Sequence, residues 1–112
     1  AIQRAQASRD ELAAKLNKAE NGIAYQVVDA WRRADEAQGR VMARELAVSQ
    51  AEEAQRIVQK RYASGVTTIT ELLAAQAQLD KTRADLVAAR YELKVQRANA
   101  RLATGRLQPD LL

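Results

Sequence analysis

The sequence has 112 residues with no cysteine, no histidine, one proline and four glycines, so it amounts to one domain at most and excludes disulfide scaffolds and the usual zinc sites. Hydrophobic residues make up 47% but aromatic ones only 4%, and roughly two dozen positions are alanine, a composition that favours helices in close contact, as in a coiled coil. The net charge of +4 comes from 18 basic and 14 acidic residues that alternate along the chain, which predicts solvated helix faces and no nucleic-acid partner.

From the N-terminus, Leu16, Ile23, Val27, Ala30, Ala34, Ala37, Val41, Val48, Ala51, Val58 and Tyr62 recur at alternating spacings of three and four. Glu20, Arg44 and Gln55 are polar intrusions in this heptad seam. The pattern predicts one helix over about residues 2–63. Asn21-Gly22 offers a turn instead, but the seam passes it without a phase slip, so a continuous helix is the preferred reading. Gly22 and Gly39 then cost about 1 kcal/mol each and leave room for a neighbour to approach. Acid-first pairs at i,i+4, namely Asp29 with Arg33, Glu36 with Arg40 and Glu52 with Arg56, suit exposed helix faces.

The regular pattern breaks at "RYASGVTTITELL", residues 61–73. Gly65 is suited to the left-handed conformation that ends a helix, and Thr68 with Glu71 forms a T-x-x-E capping box that starts the next. The segment 64–67 therefore reads as a tight turn with Val66 and Thr67 at its apex. Val66 either packs on Leu72 and staples the hairpin shut, or stands exposed as a docking surface. Local physics leaves both readings open.

A second helix is expected over about residues 68–104. Leu72, Leu79, Leu86, Leu93, Ala100 and Leu107 repeat every seven residues, with Ala75, Thr82, Ala89 and Ala103 between them. A further apolar series, Leu73, Ala77, Ala84, Val87, Tyr91, Ala98 and Leu102, widens the apolar arc, so this helix is expected to meet neighbours on two sides. Gly105 and Pro109 supply a stop signal, followed by an irregular tail. Arg83, Arg90, Arg97 and Arg101 form a loose basic stripe, but acids intervene and no nucleic-acid motif accompanies it.

The fold class is thus all-α, a long antiparallel coiled-coil hairpin with unequal arms. Mirroring about Val66 leaves residues before roughly Val28 without a partner. Leu12, Leu16 and Ile23 on that overhang, with Leu73, Tyr91 and Leu102, would remain exposed, and self-association of the isolated chain is expected. Enzymatic chemistry is not expected: there is no nucleophile and base pair, no metal cluster and no cofactor motif. Tyr25, Trp31 and Tyr91 read as packing or interface aromatics. No apolar run approaches the roughly 20 residues a membrane-spanning helix needs. A chain opening on Ala1 is expected to be part of a longer protein.

The run "RYASGVTTITELLAAQAQL" resembles the TolC-like outer-membrane efflux proteins, in which an R-Y-x-x-G turn leads into D/E-[VL]-L-x-A-Q-x-x-L. Farther on, "LVAARYELKVQRANARLATG" fits the family's L-x-x-A-x-Y/x-x-L stretch ending in A-x-G, and "AYQVVDAWRRADEAQGRVMARELAVSQAEEAQRIVQKRY" is similar to its long descending helix. The likeness covers nearly the whole chain and is strongest from Ala24 to Leu107. It implies one hairpin, that of the second repeat half, from a twelve-helix trimeric tube that crosses the periplasm beneath an outer-membrane β-barrel.

By the same resemblance the tube is an exit duct whose helix tips meet a periplasmic adaptor and, through it, an inner-membrane pump. Gly65, Val66 and Thr67 match the adaptor-docking tip, and Glu71 matches an acid near the pore entrance, a role that capping alone would also explain. Ala74 stands where some members carry a second entrance acid, and Thr67 where some carry an arginine of a closing salt bridge. Arg61 offers a different constraint. An adaptor's own helical hairpin resembles this one in length and heptads, but its arginine, leucine and serine tip pattern is missing around Gly65; a structural coiled coil is the remaining alternative.

Overall fold

In a computed structural model, residues 2–107 are described and form two α-helices, α1 (Ile2–Ala63) and α2 (Ile69–Leu107), with no strand among them. The architecture is the all-α antiparallel helical hairpin that the heptads dictate. Asn21 and Gly22 are helical, so the alternative turn there does not form. A Cβ added at Gly22 or Gly39 would meet nothing within 4 Å, so none of the described residues uses the room those glycines leave.

The hairpin comprises two compact units, each taking part of both helices. In the unit of residues 35–95, Ala37, Val41, Leu86, Ala89 and Leu93 form the core and Val48 packs against it. Ala51, Leu79 and Thr82 are also buried. Leucines of α2 meet alanines and valines of α1, which lets the helices pack closely. Each largely buried leucine contributes about 1.5–3 kcal/mol. Thr82, a polar residue on the seam, donates its hydroxyl to the Leu79 carbonyl at 2.9 Å and so adds no unpaired group to the core.

Three ion pairs cross between the helices of this unit: Arg40 with Glu92 at 2.6 Å, Glu52 with Arg83 at 3.8 Å and Glu45 with Arg90 at 3.8 Å. All six side chains are about half exposed, so each pair contributes about 0–1 kcal/mol, mainly as a bias on register. Of the expected i,i+4 pairs, Asp29 with Arg33 forms at 3.0 Å. Arg40 instead reaches Glu92, and Arg56 pairs with Glu53 while Glu52 faces Arg83. Two members of the basic stripe, Arg83 and Arg90, are therefore committed to acids of α1.

The series Leu73, Ala77, Ala84, Val87, Tyr91, Ala98 and Leu102 is exposed at every position. It does not broaden the buried arc. With Leu72, Leu79, Leu86 and Leu93 at heptad position a, these residues fall at b, f and c, on the far side of α2. The helix thus carries two separate apolar faces.

The other unit comprises residues 1–34 and 96–112, described over 2–34 and 96–107. Ala34 and Ala100 are buried in it, with Val27, Ala30, Ala103 and Thr104 half-buried. Every residue from 2 to 26 is exposed. Gly105 lies inside α2, which continues to Leu107 rather than ending near residue 104, because a glycine weakens a helix without terminating it when its φ stays negative. The expected stop at Pro109 and the irregular tail beyond Leu107 lie outside the described residues.

Candidate docking tip

The turn between the helices is built from backbone hydrogen bonds. Gly65 has φ 76°, and it is the only positive-φ residue among those described. Its amide donates to the Tyr62 carbonyl at 3.0 Å, and the Val66 amide donates to that of Arg61 at 2.9 Å. These are the two bonds of a Schellman motif, which satisfies the carbonyls left over at the end of α1. The Ser64 hydroxyl adds bonds to the carbonyls of Lys60 at 2.9 Å and Arg61 at 3.3 Å.

On the other side of the turn Thr68 caps α2, its hydroxyl accepting the Glu71 amide at 3.2 Å. The carboxylate of Glu71 does not complete the box: it is exposed and has no hydrogen bond or ion pair among the described residues. Capping uses the backbone of Glu71 and leaves its charge available. Ala74, one turn on, is exposed, and Arg61 forms no ion pair among the described residues.

Between the two caps sit Val66 and Thr67. Val66 is 76% exposed, so it does not act as a staple. The Thr67 hydroxyl is shielded from solvent and has no hydrogen-bond partner. The arrangement is a rigid turn that presents one apolar knob. Among the described residues no group of acids could hold a metal, and no helix is long and apolar enough to cross a membrane. A surface cleft of about 170 Å³ is lined by Arg40, Arg44, Asp85 and Glu92 with Ala88 and Ala89 between them.

A model of the family described as outer membrane efflux protein matches residues 1–106. The chain belongs to this family. No curated protein and no solved structure matches it. The match bears out the resemblance carried by the turn and its two flanking helices, and makes the chain a component of an outer-membrane efflux channel, from a family of transport proteins.

Within this efflux-protein hairpin, Gly65, Val66 and Thr67 share one turn and Glu71 stands at the third residue of α2. Sequence reading missed the three ion pairs between the helices and the hydrogen bond from Trp31 to Thr104. The signal for the ion pairs was present: arginines fill one edge of the α2 seam at Arg83 and Arg90, and acids fill the matching edge of α1 at Glu45 and Glu52. Tyr25 and Tyr91, at 75% and 69% exposed, are available to an interface rather than to this chain's own core.

Proposed function

We propose that this chain is a wall segment of the periplasmic tunnel of an outer-membrane efflux channel, a trimeric tube of twelve helices, and that its tip docks a periplasmic adaptor coupled to an inner-membrane pump. Docking rests on one observation: Val66 projects, three-quarters exposed, from a turn whose backbone is held on both sides. A valine so placed gains nothing for the hairpin itself. A small contact of this kind becomes useful when a symmetric ring repeats it.

The wall assignment is supported by the two faces of α2. At 3.5 residues per turn, the a/d seam and the b/f stripe point about 150° apart. That is the angle at which a member of a closed ring of about twelve helices meets its two neighbours. A helix packed only in a hairpin needs the first face alone. Glu71, with its carboxylate unpaired, serves in this reading as an acid near the pore entrance.

Val66→Asp in the full-length parent tests the docking reading. It should abolish export while leaving the trimer's melting temperature nearly unchanged, because the replaced side chain is already solvated. Normal export would refute docking; failed export with a much lower melting temperature would restore the staple.

A further inference from the structure

The two long edges of the hairpin are built differently in the unit of residues 35–95. On one edge Glu45 faces Arg90 and Glu52 faces Arg83, both as ion pairs, and the next step of seven sets Gln59 opposite Gln76. Long side chains close this edge. On the other, Arg40 faces Glu92 as an ion pair, but the same step sets Ala47 opposite Asp85, Ala54 opposite Gln78 and Arg61 opposite Glu71. The side chains of Asp85 and Gln78 have no hydrogen bond or ion pair among the described residues. The cleft over Ala88 and Ala89 opens on this edge, and Arg44, a polar intrusion in the α1 seam, lines it without an ion pair among the described residues.

We propose that the open edge faces the lumen of the tube and the closed edge faces outward, an assignment that rests on the wall reading above. A heptad position keeps to one edge along a supercoiled pair. On α2, Glu71, Gln78, Asp85 and Glu92 all stand at g, whereas Gln76, Arg83 and Arg90 all stand at e.

The far face of α2 decides between the edges. A member of a closed ring of about twelve helices meets its neighbours about 150° apart on the inner side, so the lumen lies within that angle. Measured from the a/d seam, a second face at c and f lies about 150° away through g, and one at b and f lies about as far away through e. Between residues 73 and 102, Lys81 alone interrupts the apolar c and f positions, whereas Asp80, Lys94 and Arg101 interrupt b. The c and f residues of that span are exposed. The more continuous face therefore puts g inside.

Room points the same way, since side chains crowd on the concave side of a ring and spread on the convex side. Ala47, Ala54 and Ala88 are short where crowding is greatest, and the paired glutamates and arginines at Glu45, Glu52, Arg83 and Arg90 are long where space is available. Glu71 falls on the same open edge, in agreement with its proposed place near the entrance. Solutes in the duct then meet Arg44 and Asp85 unneutralised by contact, while the charges of the closed edge are already paired.

The test uses the full-length parent as a folded trimer, with single cysteines in a background free of others; this chain contributes none of its own. Ala54→Cys and Gln78→Cys mark the open edge and Glu52→Cys and Gln59→Cys the closed one, all four positions being exposed in the hairpin. A small maleimide should label every variant. A maleimide on a polyethylene glycol too bulky for the lumen should label Glu52→Cys and Gln59→Cys, and leave the other two unlabelled until urea unfolds the channel. Size-exclusion chromatography and circular dichroism check that each variant remains a folded trimer. The reverse pattern would overturn the edge assignment and leave the wall reading intact. Labelling of all four by the polymer would remove the wall reading itself and the assignment with it, and exclusion from all four would overturn the assignment by showing the closed edge covered.

Discussion

The indole nitrogen of Trp31 donates a 2.9 Å hydrogen bond to the hydroxyl of Thr104, and that hydroxyl in turn donates a hydrogen bond to the Ala100 carbonyl at the same distance. Two residues 73 positions apart are thereby joined in a chain of bonds that ends on the backbone of α2. Trp31 is 46% exposed, so water can replace Thr104 as its acceptor. Thr104→Val is therefore expected to cost only about 0.5–1.5 kcal/mol. Since Trp31 is the only tryptophan, its fluorescence should report the change, and amide exchange should rise near Thr104. An unaltered emission spectrum with unaltered exchange would show the bond to be idle.

Gly65 should prove sensitive for a backbone reason alone. A Cβ there would meet nothing within 4 Å, yet its φ of 76° lies where L-residues are disfavoured. Gly65→Ala should lower stability by about 1–2 kcal/mol through strain, and Gly65→Asn by less, since asparagine tolerates the left-handed region better. Equal melting temperatures for both variants would argue against strain as the cause.

These two sites mark where sequence was informative and where it was not. Gly65 was legible because a left-handed helix end needs a glycine and a threonine cap follows it. The buried Leu79, Leu86 and Leu93 were legible because a seven-residue repeat permits one seam. The partners of Arg40 and Glu52 were not: a local i,i+4 pair and a pair across the helices have similar energies, and only the register decides. The exposed stripe of α2 was visible as apolar residues, but its position opposite the seam depends on counting around the axis. At the tip, the exposure of Val66 could not be deduced from its type.

The pair of Arg40 with Glu92 is the closest of the three that cross the hairpin. A double-mutant cycle with Arg40→Gln and Glu92→Gln should give a coupling of about 0.2–1 kcal/mol that shrinks as salt is added. Thermal melts at low and high ionic strength measure it. Coupling that is insensitive to salt would contradict the exposed geometry.

Acid should loosen α1 locally. Asp29 is held below its ordinary value of 3.8, chiefly by the hydrogen bond from Arg32. Glu53 is held below 4.5, chiefly by the hydrogen bond from Arg56. A lowered carboxyl pKa stabilises the folded state above the unfolded value, and that contribution disappears as pH falls through the folded one. Glu53 is exposed and Asp29 half-buried but still in contact with water, so the loss below about pH 4 should be small. Carbon-detected titrations should find both carboxyls below their ordinary values, and Arg56→Gln should return Glu53 to its own while leaving Asp29 unmoved.

Glu71 separates structural from channel roles because its two halves do different things. Its amide is held by the Thr68 hydroxyl, which any residue with a backbone N–H preserves. Its carboxylate is exposed and unpaired, so within the hairpin it acts only on the positive end of α2, an effect of about 0.3–1 kcal/mol that salt screens. Glu71→Gln should thus leave the isolated chain's melting temperature within a few degrees of the parent's. If Glu71 serves at the entrance as proposed, the same change in the full-length channel reconstituted in a planar bilayer should lower cation preference, because a negative charge there would be lost. Thr68→Ala supplies the contrast: it removes the cap, should cost about 0.5–2 kcal/mol and should leave ion preference alone. If Glu71→Gln instead destabilised the chain as much as Thr68→Ala while conductance and selectivity were unchanged, Glu71 would be a helix-end residue and nothing more.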